Sequence, residues 1–88
     1  MQNHVKIYMN YFKYAEEDFI PCEACGKDAA DIHHINGRGE GKDVIENLMA
    51  LCRKHHEQAH SDKNLLKKSD YQYIHNSFLS GKRTQFLK

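Results

Sequence analysis

The sequence has no apolar run approaching the ~18 residues of a membrane span, and no basic-then-apolar leader opens it. An integral membrane protein and a secreted precursor are therefore not expected. Charge of one sign is also scarce. Thirteen Lys and Arg stand against twelve Asp and Glu, a net +1, which excludes a massively basic nucleic-acid coat. Disorder is excluded by the balance of 40% hydrophobic against 28% charged residues. What the chain has little of is length. At 88 residues it reads as one domain, and a chain of that size buries only about 60% of its unfolded surface. Such a domain wants a staple: disulfides, a metal or a partner chain. Cysteines number three, and an odd count fits a disulfide framework poorly. A metal staple in a reducing, cytoplasmic compartment is the expectation.

What is there is histidine. The chain has seven, and His33, His34, His55, His56 and His60 share the stretch 22 to 60 with all three cysteines. Clustered Cys and His in a short polar domain point to metal. Cys22-Glu-Ala-Cys-Gly26 reads as a knuckle, with Gly26 permitting the bend. Asp31-Ile-His-His-Ile35 and Leu48-Met-Ala-Leu51 read as short strands, joined through a glycine-rich loop, Asn36 to Gly41. No Gly-Lys-Ser/Thr follows that loop, so a plain connection is expected there. Arg53 to His60 lacks Gly and Pro and reads as a helix.

The flanks are simpler. Residues 1 to 21 are rich in aromatics, and Val5, Met9 and Phe12 have the spacing of a short helix. Glu16, Glu17 and Asp18 read as a solvated turn. Residues 61 to 88 hold six Lys or Arg against two Asp, a local +4, whereas residues 1 to 60 carry −3. Ser69 with Gln72 fits a capping box, Tyr71, Ile74 and Phe78 recur at helical spacing, and Gly81 can close the helix. Lys67, Lys68, Lys82 and Arg83 either solvate this helix and tail or approach a polyanion.

Spacing divides the segment Cys52 to His60 into two pairs. In a helix, residues three or four apart share a face, and neighbours differ by about 100°. Cys52 and His55 form one pair and His56 and His60 the other. Cys52 and His55 can join Cys22 and Cys25 in a closed Cys3His set, which suits structural zinc. His56 and His60 form a two-histidine clamp that needs a third ligand. His33 and His34 are the spare donors. Neighbours in a strand face opposite ways, so both can serve one site only near a strand end or bulge. A further option makes Asp31 and His33, two apart on one strand face, joint ligands. Three protein ligands leave room for water and a phosphate oxygen, the pattern of a catalytic site.

Asp31-Ile-His-His-Ile35, Asn47, His56 and His60, flanked by the two Cys-containing pairs, resemble the motif of the HNH endonucleases, the ββα-metal nucleases, and in particular their zinc-bound phage and bacterial subgroup. The resemblance covers residues 22 to 60. It implies a small α+β fold: a β-hairpin packed on one helix, stapled by zinc and flanked here by N- and C-terminal helices, with residues 61 to 88 as a basic helix and tail. It also implies roles. His33 matches the strand metal ligand and His34 the general base. Asn47 matches the asparagine that pins the hairpin loop, and His56 and His60 match the helix ligands. Two positions depart from the family: His55 stands where a cysteine is usual, and His33 where many members have Asp. The implied activity is metal-dependent hydrolysis of DNA phosphodiesters, commonly leaving 5′-phosphate ends, with Mg, Mn, Ni or Zn as the catalytic ion. An imidazole, which titrates near ~6.5, suits a base at neutral pH. Arg38, Lys42 or Arg53 could add positive charge. A homodimer or a larger nucleic-acid-processing complex could supply further DNA grip.

A non-catalytic zinc module that binds nucleic acid or protein is the competing function. Such a module needs only Cys22, Cys25, Cys52 and His55. It has no use for His33, His34, Asn47, His56 and His60 together, and on that ground the enzyme is expected. A toxin nuclease would want a delivery region, which the sequence does not signal.

Overall fold

The computed structural model describes residues 2–61 and 66–81. Its sheet is a hairpin. β1 (Asp31–His34) pairs antiparallel with β2 (Leu48–Leu51), Asp31 opposite Leu51 and His34 opposite Leu48. β1 ends in a turn, where the Gly37 N–H donates to the His34 carbonyl at 3.3 Å. Gly37 takes φ 81° there, a conformation that glycine adopts without steric cost. A single 3-10 turn, Ile45–Asn47, leads into β2.

β2 is apolar at every position because both faces of the hairpin are covered. Met49 and Leu51 pack with the three cysteines, Ile35, Tyr71 and Ile74. Leu48 and Ala50 point the other way and pack with Tyr8, Ile20, Ala29 and Ile32. The helices supply these covers: α1 (Asn3–Phe12), α2 (Arg53–Ala59) and α3 (Lys68–Leu79). The result is a small α+β fold with the hairpin between flanking helices. No helix of the described residues is long and apolar enough to cross a membrane.

α1 forms where the spacing of Val5, Met9 and Phe12 places a short helix, whereas the reading of the α3 start needs correction. α1 buries His4, Tyr8 and Met9, while Val5 and Phe12 are half-buried. The buried face is thus turned toward Tyr8, whose hydroxyl has a partner in the core. α3 does not begin with a Ser69–Gln72 box. Its cap is Lys67, whose N–H donates to the Asp70 carboxylate at 2.8 Å, and Gln72 instead donates to the Glu46 carbonyl at 2.8 Å. Asp70 at the third helical position satisfies an N-terminal backbone group and favours the positive end of the helix dipole.

One buried polar network joins the layers. Glu23 lies inside the knuckle with its side chain fully buried, as is that of His75 on α3. Glu23 Oε1 and His75 Nδ1 are 2.6 Å apart. The other oxygen accepts from the Tyr8 hydroxyl at 2.6 Å and the Ala50 N–H at 3.1 Å. His75 Nε2 faces the Ile45 carbonyl at 2.6 Å, so that nitrogen carries a proton and donates. Burial, and then the charge of Glu23, push the Tyr8 hydroxyl upward in pKa, which keeps it a donor. Knuckle, hairpin, α1 and α3 therefore meet at one carboxylate. Removing one member of such a network strands its partners. Glu23→Ala should lower unfolding free energy by about 3–5 kcal/mol in urea titration. A loss below about 1 kcal/mol would show that the network is not holding the helices.

Candidate active site and metal centres

Cys22 and Cys25 are presented by a tight loop. The Gly26 N–H donates to the Cys22 carbonyl at 2.8 Å, the Cys22 N–H to the Lys27 carbonyl at 2.6 Å, and Gly26 takes φ 82°. Cys52 precedes α2 and His55 lies in its first turn. Cys25 and Cys52 sulfurs lie 3.9 Å apart, and His55 Nδ1 lies 3.2 Å from Cys52 and 3.8 Å from Cys22. All four donor atoms fall within 4.8 Å of one another, and all four residues are buried. A tetrahedron with Zn–S near ~2.3 Å and Zn–N near ~2.0 Å has edges of about 3.5–3.8 Å. The donors fit closed zinc in both chemistry and spacing. Burial pushes the Cys22 thiol up to about 11, so a metal arriving there must displace a proton.

His33, His56 and His60 form a second group, also with donor atoms within 4.8 Å of one another. Strand alternation sends His33 toward α2, where its ring centroid lies 5.1 Å from that of His56 and 5.0 Å from that of His60. The Nε2 atoms of His56 and His60 are 3.1 Å apart. Two nitrogens bound to one ion at ~2.1 Å stand about 3.0 Å apart at a right angle and about 3.4 Å in a tetrahedron. Asp31 is not in this group. Its carboxylate accepts from His56 Nδ1 at 3.0 Å, which leaves the Nε2 lone pair for an ion. With an ion on that nitrogen, Asp31 would stand behind His56 as the carboxylate of a carboxylate–histidine–metal arrangement.

His33 is held neutral, as a ligand must be. Burial, then the neighbouring His56, His60 and His34, lower its pKa to about 4. His4 and His55 are lowered too, in each case chiefly by burial. Between about pH 6.5 and 4 the unfolded chain binds protons that these folded-state rings refuse, so stability falls as pH falls through that window. Protein that keeps its Cys3His zinc but has no ion added at the histidine group should show its urea midpoint dropping across this interval, with the drop reduced in His33→Gln. A midpoint that stays level from pH 6.5 to 4 would contradict the assignment.

His34 faces the other way, toward α1. Its ring centroid is 4.5 Å from that of His4, and its Nε2 lies 2.8 Å from Asp43 Oδ1. Because β1 ends at this residue, His34 still lines the same cavity as His33, His56 and His60, a cleft of about 350 Å³. Asn47 lies beneath the loop. Its Oδ1 accepts from the Asn36 N–H at 2.8 Å, and its Nδ2 donates to the carbonyls of Gly37 at 3.2 Å and Lys42 at 3.0 Å. The basic candidates separate. Arg38 lines the histidine cleft, and Lys68 lines a neighbouring one that shares His33, His34 and His60. Lys42 and Arg53 line other clefts. Lys67 is exposed, and Lys82 and Arg83 lie outside the described residues. His4, Asp43, Glu23 and His75 escape the sequence reading because their partners are set by the tertiary fold and have no motif spacing.

The hairpin, the knuckle and α2 therefore present two donor sets on different faces of one helix, which is the arrangement of a ββα-metal domain. Residues 22–62, just under half of the chain, match the model of the HNH endonuclease family. The chain is also similar to the uncharacterized protein YdfU of Escherichia coli (strain K12), 42% identical over 48 residues. That alignment takes in 48% of this chain, which spans 13% of the relative's length. No solved structure matches.

Proposed function

We propose that the chain is a metal-dependent DNA endonuclease whose histidine cleft hydrolyses phosphodiester bonds. The observation that carries this reading is the meeting of His33, His56, His60 and His34 in one cleft, apart from the Cys3His set. Cys22, Cys25, Cys52 and His55 hold structural zinc, consistent with a reducing cytoplasmic setting. His33, His56 and His60 hold a divalent ion, with Mg, Mn, Ni and Zn as the candidates. When bound, that ion supplies Lewis-acid stabilisation of the phosphoryl oxygens and the leaving 3′ oxygen. His34 takes the proton from the attacking water. Asn47 fixes the loop that faces His34. Arg38, which lines the histidine cleft, and Lys68, which lines its neighbour, receive the phosphate, and Lys67, Lys82 and Arg83 add non-specific charge. Residues 1–88 act as one domain, with 22–60 as the catalytic core and 61–88 as a basic helix and tail. A second copy or a larger complex adds to the modest DNA grip of a chain with net charge +1.

The test is incubation with supercoiled plasmid, with and without chelator, across those four metals. Nicked and then linear DNA is expected with at least one metal, and none with chelator. Intact plasmid under every condition, with folded zinc-loaded protein, would favour a non-catalytic zinc module.

A further inference from the structure

The loop between the strands carries a contact that the mechanism above does not use. Asp43 Oδ1 sits 2.8 Å from His34 Nε2, and Asp43 Oδ2 accepts from Asn3 Nδ2 on α1 at 3.3 Å. The residue before it is fixed as well, since the Lys42 carbonyl accepts from Asn47. The carboxylate is therefore held from two sides, by the asparagine that ties the loop and by the first turn of α1. An ionised carboxylate can only accept, so its bond to His34 places a proton on Nε2. A neutral imidazole has one N–H, and the lone pair then belongs to Nδ1. No described residue bonds that nitrogen, and no buried side-chain nitrogen or oxygen is left without a partner among the described residues. Nδ1 is therefore unpartnered and not fully buried, on a residue that lines the cleft shared with the three metal-binding candidates.

We propose that Asp43 is a positioning residue that fixes the His34 tautomer with its proton on Nε2 and presents Nδ1 as the base; the catalytic half of this proposal rests on the nuclease reading. The step balances without a further reactant. The proton of the attacking water passes to Nδ1, the water oxygen bonds to phosphorus, and the bond from phosphorus to the 3′ oxygen breaks. The imidazolium so formed keeps its Nε2–H on a carboxylate, a charge-assisted bond that is stronger than the neutral one before proton transfer. The arrangement also connects Asn47 to the base: Asn47 ties Lys42, Lys42 sets Asp43, and Asp43 sets His34.

A buried triad aspartate is worth about 10⁴-fold in kcat, through the wrong tautomer left by its amide variant. Asp43 has a side chain 39% exposed, so water competes and a smaller loss is expected. Asp43→Asn keeps the shape and should lower kcat about 10–100-fold, with KM equal or lower because a negative charge near the phosphate is gone. Asp43→Glu should recover part of the loss. A second readout does not need activity. Long-range proton–nitrogen spectra of the ¹⁵N-labelled full chain, with zinc bound and at a pH where the ring is neutral, report which nitrogen of His34 carries hydrogen. The expected result is Nε2–H in the wild type and a mixture of tautomers in Asp43→Ala. Nδ1–H in the wild type, or wild-type kcat in both Asp43→Asn and Asp43→Ala, would overturn the proposal. If the wild type has the Nε2–H tautomer yet cleaves no DNA with any metal, the nuclease reading falls and takes the catalytic half with it, while the positioning of His34 stands.

Discussion

Cys25→Ser is expected to leave the chain largely unfolded, with its helical circular dichroism collapsed and zinc well below one equivalent. Structural zinc contributes about 10–16 kcal/mol to small zinc-binding peptides at neutral pH. A chain of 88 residues has a total stability of roughly 4–13 kcal/mol. Losing most of the metal's contribution therefore exceeds what the remaining core can supply. The three cysteines are also members of the larger hydrophobic cluster, with Met49, Leu51, Tyr71 and Ile74. Losing the zinc would open the contact between the knuckle and the hairpin and expose Glu23 beside it. Added zinc should not rescue the variant, because serine is a poor zinc ligand. A variant with the wild-type urea midpoint would remove the staple from the account.

His34→Ala should leave that staple untouched and reduce plasmid cleavage about 10²–10⁴-fold, the usual worth of a positioned general base. His34 belongs to neither donor set, so zinc content should stay at the wild-type level and the chain should remain folded. The ring is buried against His4, and its truncation should cost no more than about 1–3 kcal/mol. Raising the pH should partly restore the rate, because hydroxide can replace water that has lost its base. Cleavage at the wild-type rate would move the base elsewhere, and a parallel loss of zinc would show that His34 supports the fold.

Much of the hairpin and its metal pairs was legible in the sequence, because short-range rules govern them. β2 was readable at both ends, since its apolar run stops at Asn47 on one side and Cys52 on the other. The division of α2 followed from helical periodicity alone, and the structure places the two pairs in separate donor groups. The glycines of the connecting loop marked its turns. Contacts set by the tertiary fold were not legible. No spacing in the sequence marks Glu23, between two cysteines, as buried, and its partner His75 lies 52 positions away. α1 ends at Lys13 in the left-handed region, φ 60°, with the Tyr14 N–H donating to the Met9 carbonyl. The usual sequence sign of that ending is glycine, which is absent there. The choice of Arg38 over Arg53 depends on which cleft each lines, and composition carries no such information.

The central claim is that α2 carries a structural metal on one face and a catalytic one on another. His60→Ala tests it most directly, with zinc analysis and plasmid cleavage measured on the same preparation. His60 is exposed and lies at the end of α2, outside the Cys3His set. One zinc should remain per chain, the melting temperature should stay near that of the wild type, and cleavage should fall steeply, with partial recovery in excess divalent metal. Undiminished cleavage, or loss of the tightly held zinc together with the fold, would contradict the division of the helix into two faces.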